Sequence, residues 1–147
     1  MNIVVCVDES ESSKLALENA IEFANNTNYD IILLNSLNKE VNHKDNSIIQ
    51  ESNKDAIDRV SNYIESLEEE ARKLTNENIN VNSSIISDGN NNTVQSVIDY
   101  VQDKNIYQIF IGHRAMDTKH EKLYGSFAKD MISKSPVPVV VTTTNCK

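Results

Sequence analysis

Apolar and polar positions follow two rhythms along this chain. Apolar runs of strand length occur at 2–7 and 31–34, apolar-rich strand segments at 106–111 and 137–142, and 78–86 alternates apolar with polar residues. Unbroken runs are what strands buried on both faces require, whereas alternation suits a strand nearer a sheet edge. Between the runs the spacing turns helical: Leu15, Ala16, Ala20, Phe23 and Ala24; Ala56, Val60, Tyr63, Ile64, Leu67, Ala71 and Leu74; Val94, Val97, Ile98 and Val101; Phe127, Ala128, Met131 and Ile132. These predict helices over about 51–76 and 124–134, a first helix capped by Ser10 or Ser12 and closed at Asn28, and another capped by Thr93. Residues 37–49 are polar without a period and read as a long loop. Pro136 ends the last helix, and Pro138, lacking an N–H, calls for the last strand to lie at a sheet edge or for its proline to face no partner. Strict β-α alternation predicts an α/β fold, an open five-stranded parallel sheet with helices on both faces, in one domain over residues 1–147.

Composition narrows the function classes. Of the 147 residues, 39% are hydrophobic and 24% charged, enough for a real core. The formal charge of −8 argues against nucleic acid as a partner. No apolar run approaches a membrane span and the N-terminus opens directly as a strand, so the expected location is the cytoplasm. Cys6 and Cys146 have no metal-type spacing and read as a small core residue and a tail thiol. The isolated His113 and His120 lack a third ligand at metal spacing.

An open parallel sheet binds ligands beyond the carboxyl ends of its strands, where strand order reverses. The candidates there are Asp8, the Asn35-Ser36 pair, Asp88 and Gly112, after strands one to four. A phosphoacceptor receiver would also use carboxylates after strands one and three. Gly112 and Thr142-Thr143-Thr144, however, occupy the places where such domains carry Ser or Thr and Lys. The first turn, Val7-Asp8-Glu9-Ser10, has no glycine, which excludes a dinucleotide fingerprint and a P-loop and leaves Asp8 suited to hydroxyls such as a ribose. Two of only three glycines, Gly112 and Gly125, stand where a strand should end and a helix begin, where bare backbone N–H groups can meet phosphate. From Gly112 to Lys134 five bases face three acids, a local +2 in an acidic chain.

At these residues a resemblance emerges. Gly112-His113-Arg114-Ala115, nine residues, then Gly125-Ser126 is similar to the Gly-x-x-Gly, nine residues, Gly-Ser/Thr motif of nucleotide-binding members of the universal stress protein family. Ile109-Phe110-Ile111 and Ser135–Val141 resemble that family's fourth and fifth strands, and Val4–Asp8 with Ser10 its opening. The resemblance implies a sheet of order 3-2-1-4-5, with strands one and four flanking the crevice. It implies Asp8 beside ribose or adenine, with the backbone of Val7 and Ser36 at the base. Gly112, Arg114, Ala115, Gly125, Ser126 and the N–H groups of Phe127 and Ala128 would then surround the phosphates. The implied ligand is ATP, with or without Mg2+, AMP or another adenine nucleotide. The implied assembly is a homodimer through the last strand, Val137 to Thr142.

This chain departs from the pattern at Ala115, where the motif has glycine. A residue forced to φ > 0 there would cost roughly 1–2 kcal/mol, about a tenfold loss of affinity. Ala128 also replaces a common hydroxyl, and Tyr107 a frequent aspartate. The expected function is therefore a regulatory module with weakened nucleotide affinity that presents a surface to an unknown protein partner. The alternatives are a dimer acting through protein contacts alone, or a slow ATPase, disfavoured because no general base or metal set is evident.

Overall fold

The computed structural model describes residues 1–38, 53–88, 93–114 and 126–144. Nine elements alternate within them: β1 (Asn2–Cys6), α1 (Glu11–Thr27), β2 (Asp30–Asn38), α2 (Asn53–Leu74), β3 (Val81–Asp88), α3 (Thr93–Gln102), β4 (Ile106–Arg114), α4 (Ser126–Lys134) and β5 (Val139–Thr144). The strands form one sheet of order β3-β2-β1-β4-β5, every pairing parallel. The alternating β3 thus takes one edge and β5 the other. Pro138 precedes β5 and still serves the ladder, its carbonyl accepting from Ile109 N–H at 3.0 Å.

Two cores flank the sheet because strand side chains alternate between faces. On one side Ile3, Val5, Ile31, Leu33 and Phe110 meet Ala16, Leu17, Ala20 and Ala24 of α1 and Val60, Ile64, Leu67 and Ala71 of α2. On the other, Val4, Leu34, Ile109 and Ile111 meet Val94, Val97, Ile98 and Val101 of α3 and Ala128 and Met131 of α4.

Local chemistry sets the helix ends. Ser10 caps α1, its Oγ accepting from Ser13 N–H at 3.2 Å. Asn28 closes the helix in the left-handed region at φ 62°, its N–H donating to Ala24 O.

Several sequence expectations shift. Leu17 and Ile21 join the buried stripe of α1, while Leu74 and Ile132 are exposed, at 57% and 61%. Leu74 is the last residue of its helix, and Ile132 lies on the far rim of the α4 stripe from Phe127. Strands β2 and β4 run further than their apolar runs, so Asn35, Ser36 and Gly112 lie within strands, not after them. Parallel pairing of Asn35 with Ile85 and of Gly112 with Thr142 carries these polar or bare residues along with an apolar or β-branched neighbour. Tyr107 gains a structural account: its ring stacks on Phe23 at 6.0 Å and meets Tyr29 edge-on at 5.1 Å.

Candidate functional site

Strand order reverses between β1 and β4, at the centre of the sheet. The ends of β1, β2 and β4 and the first turns of α1, α3 and α4 enclose there a cavity of about 150 Å³. Its walls are Cys6, Leu34, Val97, Ile111 and Phe127, with Val7, Asp8, Ser13 and Gly112 along the rim and Ser36 and Thr93 completing it. Apolar walls around few polar atoms are the usual make-up of a small-molecule pocket. A cavity of this size, about 150 Å³ when engineered into an apolar core, accepts one aromatic ring.

The rim is held by a closed set of hydrogen bonds. Ser13 Oγ accepts from Asp8 N–H at 3.1 Å and donates to Asp8 O at 2.8 Å. Asp8 Oδ1 accepts from Ser10 N–H at 2.7 Å, so the carboxylate braces the turn before α1 while Ser10 itself caps the helix. Asn35 Nδ2 donates to Val7 O at 2.8 Å, tying the end of β1 to β2. Glu9 pairs with Arg59 of α2; both side chains are about half exposed, so the pair adds little stability.

Gly112 departs from expectation in its role. It does not turn the chain: β4 continues to Arg114 and the backbone at Gly112 is not left-handed. A Cβ there would lie 2.2 Å from Ser12 O and 2.6 Å from Ser13 N. The glycine therefore lets the first turn of α1 press against β4, which brings Ser13 to the cavity rim beside Gly112. Close approach of two backbones is a use of glycine as strict as positive φ.

Cys6 is the second departure. Side-chain parity with Val4 turns it toward α3 and α4, and it forms part of the cavity floor. Burial, with Asp8 adding, pushes the thiol up to about 12, so it is a protonated, soft wall atom at neutral pH and not a nucleophile. Burial likewise raises Tyr63 of α2 above its usual value, with Asp8 and Glu70 contributing.

The structure brings Val7, Asp8, Ser36, Gly112 and Phe127 together around one cavity. Ala128 lies in the core beneath α4 rather than on the cavity wall. Arg114 ends β4 and Ser126 opens α4, while Ala115 and Gly125 lie outside the described residues. Cys6, Ser13, Leu34, Thr93, Val97 and Ile111 also line the cavity and were not among the expected site residues. For Cys6 and Val97 the signal was present as strand and helix parity; for Ser13 it required knowing how closely α1 approaches β4. Among the described residues no group of three His, Cys, Asp or Glu side chains could hold a metal ion.

One atom tests whether the cavity suits a polar aromatic ligand. Ser36 Oγ is buried and has no hydrogen-bond partner among the described residues. Such a group costs about 1–3 kcal/mol relative to a satisfied one, and native proteins keep few of them. A heterocycle with a polar edge fits both the apolar walls and this hydroxyl.

A parallel sheet with an apolar, carboxylate-rimmed cavity at its central order reversal places the molecule among the doubly wound α/β proteins. Within that class, the chain belongs to the universal stress protein family, whose sequence model matches residues 1–143. No curated protein sequence matches it significantly. Among solved structures it is similar to a universal stress protein from Archaeoglobus fulgidus, at 20% identity and a TM-score of 0.72, covering 97% of this chain and 93% of that one. A universal stress protein of the same organism in complex with dAMP gives 20% identity and a TM-score of 0.69 over 97% of both chains. A universal stress protein in complex with cAMP gives 15% identity and a TM-score of 0.69, over 99% of this chain and 98% of that one. At these identities the likeness establishes the fold. No helix among the described residues is long and apolar enough to cross a membrane.

Proposed function

We propose that residues 1–147 form a single universal stress protein domain that binds an adenine nucleotide at the β1/β4 crevice. The observation that carries this reading is the ring-sized apolar cavity at the switch point, rimmed by Asp8. Two structures of the same fold are complexes with dAMP and cAMP, which supports the adenine class.

In this reading the base enters the cavity between Leu34, Val97 and Ile111, with the backbone of Val7 and Ser36 at its edge. Asp8 lies by the ribose. The phosphates meet Gly112, Arg114, Gly125, Ser126 and the N–H groups of Phe127 and Ala128, where the first turn of α4 leaves donors unpaired and the helix dipole is positive. Mg2+ would be held by the phosphates of ATP together with water. In this reading Ala115, standing where the motif has glycine, lowers affinity about tenfold. The domain works as a cytoplasmic homodimer joined through Val137 to Thr142. Nucleotide contact with residues 112–124 alters a surface that a protein partner reads.

Isothermal titration with AMP and with ATP plus Mg2+ tests the proposal. Binding at or below millimolar concentration is expected, with a loss in the Gly125→Asp variant and a gain of about tenfold in Ala115→Gly. No binding by the unaltered chain at millimolar nucleotide would leave a protein that acts through protein contacts alone. Phosphate release from ATP is expected to stay at the level of the Gly125→Asp control.

A further inference from the structure

We infer that the side-chain hydroxyl of Ser36 reads the polar edge of the base and so sets which ring the cavity prefers. This rests on the nucleotide reading above and goes beyond it, because there only the backbone of Ser36 is used.

Alternation along β2 places Ile32, Leu34 and Ser36 toward α3 and α4, and Asn35 on the opposite face, outside the cavity lining, with its Nδ2 donating to Val7 O and its buried Oδ1 unpartnered among the described residues. Each of the other polar side chains on the cavity already holds at least one partner. Asp8 Oδ1 takes the Ser10 N–H, Ser13 Oγ bridges both backbone groups of Asp8, and Thr93 has partners of its own. Cys6 keeps its proton and is only a weak donor. Among the described residues, Ser36 Oγ is thus the buried cavity-wall oxygen without a partner. A hydroxyl both donates and accepts, so it can serve a ring nitrogen or an exocyclic amino group. Serine is also small enough to leave the ring its space.

This arrangement predicts opposite signs for two measurements on one variant. Ser36→Ala removes an unsatisfied buried hydroxyl, so the urea midpoint of the ligand-free protein should stay or rise. The same change should weaken AMP binding about threefold to tenfold, the worth of one hydrogen bond. A residue serving the fold alone would lower both or change neither. AMP binding by both proteins with equal affinity overturns the inference and leaves the nucleotide reading intact. A joint fall in midpoint and affinity assigns Ser36 to the fold and also overturns it. No AMP binding by the unaltered protein overturns the nucleotide reading and this inference together.

Discussion

Cys6 shows how a residue's chemistry depends on what surrounds it. An ordinary thiol titrates near 9.0, whereas burial beside the Asp8 carboxylate lifts Cys6 to about 12. In the unfolded chain the proton leaves near the lower value; in the folded chain it stays until the higher one. Between them the native state binds more protons, so stability falls as pH rises from about 9 toward 12, and the contribution is fully present below 9. The slope can reach about 1.4 kcal/mol per pH unit. Urea midpoints measured well below and well above pH 9.0 should therefore drop less for Cys6→Ala than for the unaltered chain. Equal drops would mean that the thiol ionises alike in both states.

At the scale of elements, the packing of α1 on β4 shapes the site. The helix reaches the sheet with Ala16, Ala20 and Ala24, all fully buried, and at its first turn its backbone meets Gly112. Small side chains on the helix and the missing one at Gly112 let the two elements meet closely. Gly112→Ala would drive a Cβ into the Ser12 carbonyl, a backbone atom that cannot rotate away. The expected loss is at the upper end of the roughly 1–3 kcal/mol range for overpacking, read as a lower urea midpoint. The shift of α1 should also displace Ser13 from the rim and weaken AMP binding. An unchanged midpoint would show that α1 and β4 can separate without cost. The motif glycine was legible in the sequence; its partner, the first turn of α1 some hundred positions earlier, was not.

For the whole molecule, the sheet has two edges, and β5 is the more apolar. Val139 and Val141 pack against the α3/α4 core and Val140 against the other, which leaves the outer backbone groups of the strand for pairing. Pro138 O faces Ile109 N–H, so Val140 turns toward β4 as well, while Val139 and Val141 turn their N–H and C=O outward. A second copy docked on this edge would cover a strand that otherwise invites uncontrolled pairing. Light scattering after size exclusion should find a dimer that Val141→Pro dissociates without loss of far-ultraviolet helical signal. A monomer in the unaltered protein, or a dimer indifferent to the proline, would move the interface elsewhere.

The order of strands and helices was already determined by periodicity, because a strand buried on both faces must be apolar throughout and a helix must repeat every three to four residues. The site was partly legible for the same reason: Asp8 and Gly112 fall near strand ends, where parallel sheets bind ligands. The ends of β2 and β4 were not, since hydrogen bonding to a neighbour strand carries Asn35, Ser36 and Gly112 past the point where apolar character stops. Nor was the cavity, which forms only where Cys6, Leu34, Val97, Ile111 and Phe127 converge from five elements. Sequence pattern reports what each residue would bury. Only the packed fold decides against what, and which buried oxygen is left for a ligand.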